Sequence, residues 1–286
     1  MSTTINTNSG AMTAIRVLGR NNSDLETIQG RISSGLKVAT AKDNGASYGI
    51  AQQQRSEVRA FEAVNVGLGR AASAADVGLA AGDAISDVFM QMKQKALAAT
   101  GATISASSRA SYNDEFIALR NSITSIIANA VFDGINLLNG PVATDLSFPA
   151  STDGLQTVLL PVLDFNLTLT PLGLPAATPG IYVDVTTDLT TDVNAMEALE
   201  RISASLDYVN QELSRLGTAA KRVDGHTNFI SRLSDSIIQG IGNIVDANLA
   251  QDSAQLQALQ VRQQMSTQAL SIANQSPQVL LNLLRG

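Results

Sequence analysis

The residues with the chemistry of a nucleophile are Gly45-Ala46-Ser47-Tyr48-Gly49, inside the run KDNGASYGIA at 42–51. Their spacing is G-x-S-x-G, the serine turn of many hydrolases. One histidine, His226, follows many aspartates, so the order Ser…Asp…His also matches. That chemistry needs a buried strand leading into the serine, a helix leaving it, and oxyanion donors at the turn. The residues before Ser47, SSGLKVATAKDN, are instead a polar, turn-rich connector. The surrounding chain has none of the alternating strand–helix units from which a hydrolase sheet is built. His226 lies between apolar positions 223 and 230 on a helix flank. A serine hydrolase using Ser47 is thus an alternative without its structural context. The better reading of the run is a helix start: Asp43 or Asn44 caps the free N–H groups, Gly45, Ala46 and Ser47 allow close packing, and Ile50 opens the apolar face.

Other motifs fail in the same way. Gly30 to Lys37 imitates a phosphate loop, but Leu36 stands where Lys is needed and no strand precedes it. Gly67-Leu-Gly69-Arg-Ala-Ala72 imitates a dinucleotide fingerprint, yet it falls inside a heptad seam. The carboxylates are scattered, and neither a zinc-protease motif nor a calcium loop occurs. There is no cysteine, which excludes disulfides, thiolate chemistry and Cys-based zinc sites. The expectation is no catalytic residue, no metal and no cofactor. A net charge of -6 argues against a basic surface for nucleic acid. No stretch approaches the roughly 18 unbroken apolar residues of a membrane span. The opening MSTTINTNSGAMTAIRVLGR lacks the basic start and apolar run of a cleaved signal, which predicts a chain that stays in the cytoplasm or leaves without signal removal.

With no chemistry to position, the elements themselves carry the information. The chain is 44% hydrophobic but only 4% aromatic, without Trp, a composition suited to long packed helices. Six of the seven prolines lie between Pro141 and Pro179, and none occurs from residue 1 to 140. Proline is excluded from helix interiors, so two helix-permissive arms flank a proline-rich middle. The middle, 141–190, alternates branched apolar and polar residues between turn residues, which predicts short strands and hairpins. No Lys or Arg occurs from Asn121 to Glu200, so this part is an acidic, solvated face.

The arms carry heptad seams. One runs Phe61, Val64, Leu68, Ala71, Ala75, Gly78, Gly82, Ile85, Phe89, Met92, Ala96, in alternating steps of three and four. Its small central residues admit a second helix closely. Another runs Tyr112, Phe116, Leu119, Ile123, Ile126, Ala130; a third runs from Leu199 to Ile244, interrupted at Thr227 and Ser234. Helices of about 40 residues span roughly 60 Å, so a rod is expected. Both ends are amphipathic as well: Ile5, Ala14, Ile15, Leu18, Leu25, Ile28 and Ile32 lie near one face, and Leu249, Leu256, Leu259, Leu270 and Ala273 near another. The tip VLLNLLRG adds Leu280, Leu283 and Leu284. Alone these ends are marginal, and they order by burying their seams on neighbours. Ser23-x-x-Glu26 has capping-box spacing, but the apolar face continues through it, which predicts one unbroken first helix.

Several blocks now agree in content and order. INTNSGAMTA, RISSGLKVATAKDNGASYGIA, FDGINLLNG, SRLGTAAKRVDGHTNFI and IVDANLAQDSAQLQALQVRQQMSTQALSIANQSPQVLLNLL resemble bacterial flagellin over about 1–140 and 192–286. The resemblance implies a short, mainly α flagellin without large outer domains. It divides the chain into paired terminal helices at 1–44 and 242–286, an outer helical domain at 45–140 and 191–241, and a β-rich segment at 141–190, with Lys42, Asp43 and Asn44 as connector. It implies a subunit of the extracellular flagellar filament, exported through the type III apparatus without signal cleavage and polymerised with copies of itself. Filament cap and hook-junction proteins, and an export chaperone on the C-terminal segment, are the implied partners, with no nucleic acid and no membrane insertion. A hook–filament junction protein is the near alternative. One departure concerns the flagellin-sensing Toll-like receptor, which reads a family motif like L-Q-R-V-R-E-L-A. In FMQMKQKALAAT, Gln91 replaces the first Arg, Lys93 the second, Gln94 the Glu and Lys95 the Leu. Loss of bidentate Arg geometry implies weak sensing.

Overall fold

The computed structural model describes residues 7–140, 145–167 and 180–285, with side chains of the last helix described as far as Gln275. Five helices dominate: α1 (Ser9–Ser34), α2 (Gly45–Ala99), α3 (Ala106–Asn129), α4 (Asp192–Val245) and α5 (Leu249–Arg285). Between α3 and α4 come β1 (Val131–Phe132), β2 (Ile135–Asn136), β3 (Leu146–Pro149) and β4 (Thr157–Leu160), paired β1 with β2 and β3 with β4, both antiparallel. The chain forms two compact units, Met1–Val58 with Asp235–Gly286, and Arg59–Ser234.

The central unit, Arg59–Ser234, is built on the first seam. All eleven of its positions from Phe61 to Ala96 are buried. Phe89 and Phe116 lie in one core with Ile85, Met92, Ile123, Ile202, Val209 and Leu216. Burying each large side chain contributes about 1.5 to 3 kcal/mol. The small seam residues admit α4 closely: a methyl placed on Gly82 would come within 3.1 Å of Leu213 Cγ, and one on Gly78 within 3.1 Å of Leu216 Cδ2.

The short strands close this core. Residues 131–136 form a hairpin across Asp133 and Gly134, both at positive φ (49° and 80°), as its two-residue turn demands. The proline map leaves this stretch inside a helix-permissive arm; α3 instead ends at Asn129, with Ala130 as its cap, and the Asp-Gly pair turns the hairpin that follows. The N–H groups of Leu163 and Phe165 donate to the Leu137 and Leu138 carbonyls, which turns Leu137, Leu138, Leu163 and Phe165 into the core. The β3–β4 hairpin confirms strands in the middle, at register Leu146↔Leu160 to Pro149↔Thr157.

One buried carboxylate fixes the segment that enters α4. Asp184 is 1% exposed. Its Oδ1 accepts from the N–H and hydroxyl of both Thr186 and Thr187, at 2.7 to 3.1 Å. Burial pushes this carboxyl up, but those hydrogen bonds outweigh it and hold it below the usual carboxylate range. Arg201 Nη1 stands 3.7 Å from Asp184 Oδ2, and Arg120 donates to the carbonyls of Asp184, Val185 and Thr187.

Candidate self-assembly surface

The terminal unit begins with α1, which is unbroken through Asn21 as expected. Asn8 caps its start by accepting from Ala11 N–H. Gly35 ends it in the left-handed region at φ 70°, its N–H donating to the Arg31 carbonyl at 2.8 Å, the conformation glycine adopts without steric cost. Helix α5 runs antiparallel to α1. Asn8 Nδ2 donates to the Ala273 carbonyl (2.7 Å), Asn21 Nδ2 to Ser266 Oγ (2.8 Å), and Gln263 Nε2 to Asn22 Oδ1 (2.9 Å). Between them Leu25, Ile28 and Leu259 form a buried cluster with Ile32 and Leu256 at its edge.

These pairings bring together much of the expected terminal set. Leu25, Ile28, Ile32, Leu256 and Leu259 meet directly; Leu18 and Leu270 are half-buried. Ile15 and Leu249 are exposed. Ile5 and the side chains of Leu280, Leu283 and Leu284 lie outside the described residues.

A second apolar stripe escaped the sequence reading. Val261, Met265 and Ile272 are 55%, 66% and 63% exposed. At about 100° per residue they fall within about 40° of one another, on the side of α5 opposite Leu259, Ser266 and Leu270. Met12, Ile15 and Val17 add exposed apolar surface on α1. Its signal in the sequence is the spacing of four and seven at 261, 265 and 272, masked by the stronger leucine face at 256, 259 and 270.

The connectors also pair. Lys37 and Val38 donate their N–H groups to the Val245 carbonyl, and Ala247 N–H to the Gly35 carbonyl. Val38, Ala51, Val58, Ile241 and Val245 close a small core beside them. Lys42, Asp43 and Asn44 lie on an exposed turn. Asp43 Oδ2 accepts from the N–H groups of Thr40 and Ala39 and from the Thr40 hydroxyl, and the Thr40 bonds hold its carboxyl below its ordinary range. Asn44 is the cap of α2, its Oδ1 accepting from Ser47 N–H at 3.0 Å. Two details correct the sequence reading. Ile50 is exposed, and Ala51 beside it is the buried position, because the small core is reached from the Tyr48 and Ala51 side. Gly45 and Ala46 are exposed, and among the described residues no atom lies within 4 Å of a methyl placed on Gly45, so close packing does not require a glycine there.

The hydrolase geometry is not formed. Ser47 sits in the first turn of α2 after a turn, not after a strand. His226 Nε2 is engaged with the Ala150 carbonyl at 2.6 Å. Gly30 and Gly67 lie inside α1 and α2, where neither glycine loop can form. Among the described residues no cluster of acidic or imidazole side chains could hold a metal, and no helix is long and apolar enough to cross a membrane. In the central unit Gln91, Lys93 and Gln94 are exposed on α2, while Lys95 is ion-paired with Glu115.

Comparison with known proteins decides the family. Residues 5–143 match the bacterial flagellin N-terminal helical region, and residues 199–284 the C-terminal helical region. Flagellin FljM of Caulobacter vibrioides is 41% identical over 98% of both chains. The chain belongs to the bacterial flagellin family. The flagellin of Brucella melitensis is 35% identical, again over 98% of both chains, and Flagellin C of Rhizobium meliloti 31% identical over 99% of both. As a flagellin it is a structural subunit of the bacterial flagellar filament, an extracellular helical polymer. Full-length agreement with relatives of similar size fits a short flagellin.

Proposed function

We propose that the α1–α5 pair is the polymerising element of this flagellin, and that the outer stripe Val261, Met265, Ile272 is its contact with neighbouring copies. The observation that carries this is the two-sided apolar character of α5: one side is covered by α1, and the opposite side is left to water. A helix apolar on both sides is stable only when both are covered. The contact joins different patches on successive copies, as an open helical polymer requires. In this proposal 1–44 and 242–286 are the terminal assembly segments, 45–140 and 191–241 the helical domain, and 141–190 its β-rich segment.

The test is seeded polymerisation of the Val261→Ser, Ile272→Ser double variant. Each change removes about 1 kcal/mol of apolar burial, so the critical concentration rises about 30-fold. The monomer's melting temperature stays unchanged. An unaltered critical concentration contradicts the proposal.

Before assembly the same surface needs protection. Export without signal cleavage, with a chaperone on the C-terminal helix and a cap at the growing end, belongs to this reading, as does a junction protein at the base. The divergent Gln91, Lys93, Gln94 and Lys95 predict weak recognition by the flagellin-sensing receptor. A reporter-cell response equal to that of a flagellin carrying the two arginines contradicts that.

A further inference from the structure

The methionines divide sharply by environment. Met92 is sealed in the core of the central unit at 0% exposure, whereas Met265 stands at 66% in the middle of the outer stripe of α5. Met12, Met90 and Met196 are also exposed. An exposed thioether is open to oxidation, and its sulfoxide is polar and chiral where the thioether was apolar and adaptable. On α5 that change falls between Val261 and Ile272, in the surface assigned above to copy–copy contact.

We propose that Met265 is an oxidation-sensitive gate on polymerisation: open to hydroperoxides in the free chain, shielded once a neighbouring copy covers it. The proposal rests on the assembly reading above. In the step, the thioether sulfur attacks the terminal oxygen of a hydroperoxide. The S–O bond forms as the O–O bond breaks, sulfur loses two electrons to the peroxide, and the departing oxygen takes the proton as water or alcohol. The sulfoxide oxygen is a strong acceptor where the thioether was apolar, and covering it against a copy strips away its water; the nearest long donors on α5 are Arg262 and Gln268, three residues to either side. An oxidised chain is therefore excluded from the growing end. Restoration requires a reductant of the sulfoxide-reductase class, which converts each epimer back to the thioether.

The experiment uses the intact chain. Monomer is treated with hydrogen peroxide until about half of the Met265 is sulfoxide, mixed with filament seeds, and separated into filament and supernatant. Peptide mass spectrometry then reads the oxidised fraction at each methionine. Met265 sulfoxide is expected to be depleted at least about 10-fold in the filament relative to the supernatant, with Met92 unoxidised in both. Met265→Leu, which keeps volume and removes the sulfur, is expected to polymerise equally before and after the same treatment. Preformed filaments are expected to oxidise more slowly at Met265 than the monomer does. Equal partition of Met265 sulfoxide overturns the gate. So does a Met265→Leu chain that loses assembly on oxidation as the parent does. Failure of the untreated chain to add to seeds overturns the assembly reading instead, a separate outcome.

Discussion

The two compact units use the same heptad language to opposite ends. In the central unit buried apolar residues far outnumber the large exposed ones, and the α2 seam is covered at every position from Phe61 to Ala96. Among the described residues of the terminal unit the two are evenly matched: Ala11, Leu25, Ile28, Val38, Ala51, Val58, Ile241, Val245 and Leu259 are buried, while Met12, Ile15, Val17, Ile50, Ile238, Leu249, Val261, Met265 and Ile272 are exposed. A seam covered within its own chain yields a folded domain. A seam only half covered yields an element whose stability depends on protein concentration, because other copies must supply the rest. On the proposed assembly, the difference teaches that folding and polymerisation are separable.

The largest effect should come from the core that is already complete. Phe89→Ala removes a fully buried ring and should destabilise the central unit by about 3 to 5 kcal/mol, seen as an early urea transition of the monomer. If polymerisation failed while that transition stayed in place, the separation of roles would be wrong. A smaller effect tests the same unit through pH. Asp184 has its folded pKa depressed, so its stabilising contribution is present above the unfolded value of about 4 and is lost as pH falls through the folded one. Asp184→Asn should cost about 1 kcal/mol at neutral pH and flatten the acid limb of the melting curve. An acid limb identical in parent and variant would place the acid sensitivity elsewhere.

How much of this was legible before the structure depended on whether a pattern had one partner or two. The α2 seam was read without error because its partner helix is in the same chain and its small residues, Gly78 and Gly82, announce the close approach. The unbroken α1 followed from an apolar face that outweighs a local capping signal at Ser23. The end of α3 agrees with the seam that stops at Ala130, but the 131–136 hairpin beyond it lies outside the proline-rich middle, and its signal is the local Asp133-Gly134 turn. The buried position at Ala51 rather than Ile50 was beyond periodicity: the side that is covered is set by Val38, Ile241 and Val245, remote in sequence. The second stripe on α5 has no partner among the described residues of its own chain, so no seam elsewhere in the sequence points to it.

The absence of cysteine permits the most direct measurement. Single cysteines introduced as Val261→Cys, Ile272→Cys and, for comparison, Leu155→Cys at an exposed hairpin tip can be reacted with a maleimide in monomer and in filament. The account predicts that all three label readily in the monomer, and that positions 261 and 272 become at least about 10-fold slower in the filament while 155 does not. Equal labelling rates at 261 and 272 in monomer and filament would contradict the claim that copies of this flagellin meet across the outer stripe of α5.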